Sequence, residues 1–207
     1  MNKVKGIKSS MGSVDIESAS QKLKGMLSEK RYIHSLGVME TAEKMARCFG
    51  VDPQKARIAG LLHDCAKDID KDKMLVLCKQ LGVKLDAVKR EQRSLIHADL
   101  GAKLLETEFG IDDEEIISAV KYHTLGREYM TDLEKILYLA DVIEPNRKPF
   151  DGIEELRSLC EANLDCAMLF AIERSIEYIQ HRHRKLHSQT LAAQQYFLTI
   201  CKEKVTE

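Results

Sequence analysis

Six residues in this 207-residue chain combine the side chains and the helical spacing that chemistry requires. His34 stands four positions before Val38 and continues the apolar stripe Val38, Ala42, Met45. His63 follows Ala56, Ala59 and Gly60 at seven, four and three positions, and Asp64 is its neighbour in the stretch "IAGLLHDCAKD". His97 is followed at four and seven by Gly101 and Leu104, while His123 follows Ile116, Ala119 and Val120. Asp141 comes four after Leu137 on an apolar helix that stops before Pro145. Residues three or four apart on a helix share a face, so these side chains point inward.

A single inward imidazole is usually a hydrogen-bonded core residue. His63 could close its own helix C-terminus, and Asp64 could cap the segment that follows. Burying unpaired carboxylates is costly, however, and here two coincide with four imidazoles. A metal centre accounts for all six together, because a cation neutralises carboxylates and takes lone pairs from neutral imidazoles. Four His and two Asp exceed one tetrahedral site but suit two divalent ions sharing a bridging carboxylate. The mixed nitrogen and oxygen donors favour iron, manganese, cobalt, nickel or zinc over magnesium. Cys65 points about a quarter-turn away from the pair and is left out.

Helices must position these groups, and their signals recur along the chain. A short amphipathic helix covers Asp15 to Ser28, and another runs from Arg31 to Phe49. "GVDPQKA" marks a break and a new start, with Gly50 as C-cap, Asp52 as N-cap and Pro53 in the first turn. Helices are expected over Asp70 to Gln80 and Ser94 to Phe109. Asp112 with Glu115, and Thr131 with Glu134, fit capping boxes for two more. After a loop at "NRKPFDG", Leu164 to Gln180 carries the stripe Leu164, Ala167, Met168, Ala171, Ile172, Ser175, Ile179. Strand alternation is absent and no repeat interrupts the chain. The expectation is one all-α domain, a helical bundle over 15–200 with the metal site in its core, preceded by a flexible arm over 1–14.

Composition agrees. Hydrophobic residues make up 44%, charged residues 31%, and Pro and aromatics are scarce, as in a helical globular protein. The net charge of −1 argues against bulk binding to nucleic acid or anionic membrane. The six cysteines contain no C-x-x-C pair, which fits a reducing compartment, and no stretch is long and apolar enough to span a bilayer. A cytoplasmic protein is expected. In the basic run "HRHRKLH", His183 and His187 have i, i+4 spacing but no nearby carboxylate, so a solvated C-terminal face is the expectation.

The order His34, His63-Asp64, Asp141 resembles the signature of the HD superfamily of metal-dependent phosphohydrolases, and His97 and His123 resemble its two-metal branch. More narrowly, "HSLGVMETA", "AGLLHDCAKD", "IHADLGAKLL" and "KYHTLGREYMTDLEKILYLADVIEPNR" resemble the YqeK-type bacterial enzymes that cleave symmetrical dinucleoside tetraphosphates. The likeness spans about Asp15 to Ile179; the basic tail departs from it. It implies that His34, His63, Asp64 and Asp141 hold one metal and His97 and His123 the second, with Asp64 bridging and iron as native metal.

Such a site activates water and neutralises phosphoryl charge. The reaction expected is attack of a metal-bridging hydroxide that splits diadenosine tetraphosphate into two ADP. Other HD substrates (a 5′-nucleotide, guanosine tetraphosphate, a cyclic dinucleotide) and a non-catalytic nucleotide-binding module are the alternatives. Polyphosphate also needs cations. Lys67, one turn beyond Asp64, is expected to act in catalysis and to grip phosphate. Arg127, Arg147, Arg31 and Thr124, each close in sequence to a ligand, complete the candidate substrate contacts. The partner expected is a small-molecule nucleotide, and a homodimer is allowed.

Overall fold

Capping residues decide where the helices begin. The computed structural model describes residues 15–203, so the arm expected over 1–14 lies outside the described residues. Among the described residues the elements are all helical. They run α1 (Ile16–Met26), α2 (Glu29–Cys48), α3 (Pro53–Leu62), α4 (Lys71–Gln80), α5 (Ala87–Glu91), then a short 3-10 turn (Arg93–Leu95). They continue with α6 (Ile96–Phe109), α7 (Glu114–Tyr122), α8 (Asp132–Ile143), α9 (Ile153–Ala162), α10 (Leu164–His181) and α11 (Ser188–Glu203). The side chains of Asp15, Asp52, Asp70, Asp113 and Asn163 each accept from a backbone N–H in the first turn that follows. Pro53 opens α3, where its missing N–H costs nothing. Thr131 and Glu134 form the expected capping box on α8.

One cap is corrected. The N-cap of α7 is Asp113, not Asp112, because the helix starts one residue later and Asp113 accepts from Glu115 and Ile116. The helices α5, α9 and α11 have no counterpart in the expected set. The basic tail is also corrected: α10 ends at His181, His183 has φ of 51°, and the two histidines share no helical turn. His187 is buried and bonds Asp86, and α11 sends Ala193 and Phe197 into the core.

The core is continuous from Leu23 on α1 to Phe197 on α11. Its centre is the packing of α2 on α3 and α8, with α7 laid across α3, α6 and α8. Val38, Ala42, Leu62, Val120 and Leu137 are fully enclosed there, each Leu or Val stabilising by about 1.5–3 kcal/mol. Gly60 permits the closest approach. A Cβ there would come within 2.7 Å of the Met39 Cα, so only glycine lets α3 lie this tightly on α2. That contact joins the two helices that carry His34 and lead into His63.

Candidate metal centre

Five elements deliver the six residues to one interior point. His34 lies in the second turn of α2, His63 and Asp64 just past the end of α3, and His97 in the first turn of α6. His123 follows α7, and Asp141 sits in the last turn of α8. His63, Asp64, His97 and His123 are buried, while His34 and Asp141 stand half-buried at the mouth.

The backbone sets which ring nitrogen faces the point of convergence. Nδ1 of His63 donates to the Gly60 carbonyl at 2.8 Å, Nδ1 of His97 to Ser94 at 2.7 Å, and Nδ1 of His123 to Val120 at 2.6 Å. In all three the partner is the residue three positions earlier. For His63 and His123 that carbonyl is one left open by its helix end. His63 and His123 therefore close their helices, His97 anchors to the turn before its own, and each ring with its proton on Nδ1 presents the Nε2 lone pair inward. The core-residue reading and the ligand reading describe the same side chain.

The inward atoms sit at coordination spacing. Asp64 Oδ1, His97 Nε2 and His123 Nε2 are separated by 3.2, 3.2 and 3.6 Å. His34 Nε2 is 2.9 Å and His63 Nε2 3.7 Å from Asp141 Oδ1, and His63 Nε2 is 3.8 Å from Asp64 Oδ2. Such separations are the edges of a polyhedron whose centre lies about 2 Å from nitrogen and oxygen vertices, as divalent metals require. His34, His63 and Asp141 form one group able to hold an ion, and His63, Asp64 and His123 another. Two buried atoms in the cluster, His63 Nε2 and Asp64 Oδ1, have no hydrogen-bond partner. The donor set fits a divalent cation.

Charge is arranged consistently. Burial opposes ionisation of Asp64, but His63, His123, His97 and Lys67 outweigh it and hold its pKa well below the carboxylate range. Burial also opposes ionisation of Asp141, which His34, His63 and Arg147 reverse. Burial and the nearby Lys67 ammonium push His97 down to about 4, so its ring is neutral, as a ligand must be. Cys65, beside the pair, is pushed up to about 12 by burial and by Asp64, and its Sγ lies 3.8 Å from the Gly101 carbonyl.

The cations divide. Lys67 reaches the cluster, with Nζ 2.9 Å from His97 Nε2 and 3.3 Å from Asp64 Oδ1. Arg31 also reaches it, 3.2 Å from Asp64 Oδ2, while its Nε donates to Asp68 at 2.7 Å. Arg147 donates to Asp141 through side chain and backbone oxygens at 2.5 and 2.7 Å. Thr124 Oγ1 lies 3.2 and 3.1 Å from Nε2 of His97 and His123. Arg127 is not brought to the cluster. Its guanidinium pairs with buried Glu134, donates to the Glu128 carbonyl and covers the Tyr122 ring.

Two residues near the cluster had no place in the expected site. Asp68 accepts from Ser28 N and Oγ and from Arg31, tying the start of α2 to the loop after Asp64. Glu144, in the quoted "ADVIEPNR", accepts from His34 Nδ1 at 2.9 Å. The only hint in the sequence was an acidic residue three positions after Asp141, at a helix end before proline.

Residues 31–146, which include all six residues, match the HD domain family. A symmetrical bis(5'-nucleosyl)-tetraphosphatase from Halalkalibacterium halodurans is 39% identical over 174 residues, covering 84% of this chain and 92% of the relative. The enzyme of the same name from Bacillus subtilis gives the same identity and coverage. Among solved structures, an HD superfamily hydrolase from Clostridium acetobutylicum, described as involved in NAD metabolism, superposes with a TM-score of 0.87. It is 39% identical, with 91% of this chain and 99% of that chain covered.

Proposed function

The chain belongs to the HD domain family and, within it, to the symmetrical bis(5'-nucleosyl)-tetraphosphatases, and we propose that it splits diadenosine tetraphosphate into two ADP at the cluster described above. It is a phosphoanhydride hydrolase. The observation that carries the site is the convergence of imidazole Nε2 atoms and two carboxylates at 3–4 Å, with three Nδ1 protons committed to backbone carbonyls.

In this reading His34, His63, Asp64 and Asp141 would hold one divalent ion, and His97 and His123 would hold a second together with Asp64. When bound, the ions supply an activated water at neutral pH and neutralise phosphoryl charge. Iron is the native metal of this reading, and the mixed donor set also accepts manganese, cobalt, nickel or zinc. The chain's own residues do the rest. Lys67, half-buried between His97 and Asp64, turns its ammonium to the phosphoryl oxygens and offsets the charge that develops on them. The Thr124 hydroxyl donates to phosphate beside the two imidazoles. Arg31 and Arg147 stand at the rim, where they grip the outer phosphates while keeping Asp64 and Asp141 aimed inward. Arg127 has no part in this reading because Glu134 holds it.

The bond broken is the central P–O–P linkage. Water oxygen ends on one diphosphate, the other diphosphate leaves with the bridging oxygen, and two protons are released when both diphosphates are fully ionised. No helix among the described residues is long and apolar enough to cross a membrane. The six free thiols fit a reducing cytoplasm, and the near-neutral charge fits a small nucleotide better than a nucleic acid. Product analysis tests the assignment. Protein reconstituted with ferrous or manganous ion is expected to yield ADP alone from diadenosine tetraphosphate. ATP and AMP in equal amounts would contradict the symmetrical cut.

A further inference from the structure

His34 differs from the other three imidazoles in how its Nδ1 is anchored. Its proton goes to a carboxylate 110 residues away rather than to a carbonyl of its own turn. That carboxylate belongs to Glu144, which caps the end of α8 and is 1% exposed. Its Oε1 takes the His34 proton at 2.9 Å, and its Oε2 accepts the backbone N–H of Asn146 at 2.6 Å.

The seat for this carboxylate is cut into α2. A Cβ on Gly37 would overlap Glu144 Oε2 and come within 3.0 Å of Asn146 Nδ2. Gly37 lies inside a 20-residue helix without a positive φ, so the helix forgoes the higher propensity of alanine for the space alone. Burying a carboxylate also costs free energy. A glutamine would fill the same volume without charge, yet it has one acceptor oxygen where two donors converge. Only a carboxylate accepts from both.

We propose that Glu144 is a positioning residue that acts on the metal centre through His34, with Gly37 as its seat and the Asn146 backbone as its second anchor. It holds the His34 proton on Nδ1 and so leaves Nε2, 2.9 Å from Asp141 Oδ1, as the atom that faces the metal position. The chain thereby orients His34 from α8, the helix that also supplies Asp141, and fixes both residues with one element. This inference rests on the metal reading of the cluster, and the test separates the two.

The experiment compares wild type, Glu144→Gln and Gly37→Ala by two readouts. The first is the ring nitrogen shifts of His34 in the metal-free, 15N-labelled protein, assigned through their loss in His34→Gln. The second is manganese affinity by titration. Wild type is expected to carry the His34 proton on Nδ1. In Glu144→Gln the proton is expected to redistribute to Nε2 and manganese affinity to fall about 10–100-fold, with the tautomers of His63, His97 and His123 unchanged. Gly37→Ala displaces the carboxylate from the α2 side and moves both readouts the same way, so the test stands even if Glu144→Gln does not fold. An unchanged His34 tautomer with unchanged affinity in the variants would overturn the proposal. If wild type takes up no manganese, the metal reading fails, while the tautomer comparison still decides whether Glu144 sets His34.

Discussion

Glu134 and Asp64 are both buried carboxylates, enclosed almost equally, and both meet basic side chains, but only Asp64 also meets converging imidazoles. Glu134 faces donors on every side: the Ser118 hydroxyl, Nε and Nη2 of Arg127 at 3.3 and 2.9 Å, and the Thr131 N–H at 3.1 Å. Its node is closed, and its work is to cap α8 and lock the loop after α7. Asp64 faces a mixed set, with Arg31 donating to its Oδ2 at 3.2 Å and the Lys67 ammonium 3.3 Å from its Oδ1. The same Oδ1 makes no hydrogen bond and lies 3.2 and 3.6 Å from Nε2 of His97 and His123. Burial alone therefore does not identify a reactive carboxylate. The company it keeps does, because imidazole Nε2 atoms and a second carboxylate converge beside Asp64 and a bound cation satisfies such a set.

The sharpest way to break this comparison is to mutate both carboxylates. Asp64→Asn keeps the volume, removes the shared negative ligand, and is expected to lower turnover of diadenosine tetraphosphate about 1,000-fold or more. Turnover near wild type would make the two carboxylates equivalent. Glu134→Ala is expected to act on stability, losing about 3 kcal/mol by leaving Arg127 and Ser118 unpaired. Thermal unfolding reads this as a midpoint roughly 6–12 °C lower, with metal content unchanged. Loss of metal in Glu134→Ala would show the nodes to be coupled.

Lys67→Ala tests the cation nearest the cluster. The expectation is a fall of about 10–100-fold in kcat/KM with metal still bound, since one charge-assisted contact to phosphate is removed. Loss of metal with no kinetic effect on reloaded protein would reassign Lys67 to the support of Asp64.

The smallest effect belongs to the tail, where His187 Nε2 meets Asp86 Oδ2 at 2.9 Å. Burial opposes ionisation of Asp86, but the Lys89 N–H and His187 hold its pKa below the ordinary value. A depressed carboxylate stabilises the fold above its usual pKa and loses that contribution as pH falls through the folded value. Asp86→Asn retains a capping side chain and is expected to be less stable than wild type near pH 7 by at most about 1 kcal/mol. The two stability curves should converge as pH drops below about 4. A gap that widens on acidification would contradict the sign.

The clustering of the six residues was legible because most of them have apolar neighbours three, four or seven residues away along the chain, a period the sequence displays directly. Contacts between distant segments were not legible in this way. Glu144 meets His34 across 110 residues, and no local pattern records that pairing. Arg147 and Arg127 look alike in sequence, each a few residues past a ligand, yet one folds back on Asp141 and the other on Glu134. Side-chain direction after a helix end depends on the partner offered, here the carboxylate of the same helix or of the next one. The tail misled for a related reason. Its basic run dominates the composition, while the residues that seat α11, Ala193 and Phe197, are few and lie beyond it. The N-cap of α7 was misplaced by one residue because Asp112 and Asp113 are adjacent and both can cap.

The most direct test of the central claim is the metal stoichiometry of purified protein after anaerobic loading with ferrous ion, in wild type and in Asp64→Asn. Two ions per chain in wild type, and fewer in the variant at unchanged helix content, is the predicted result. One ion or none in wild type, or an equal count in both proteins, would contradict a two-metal centre built around Asp64.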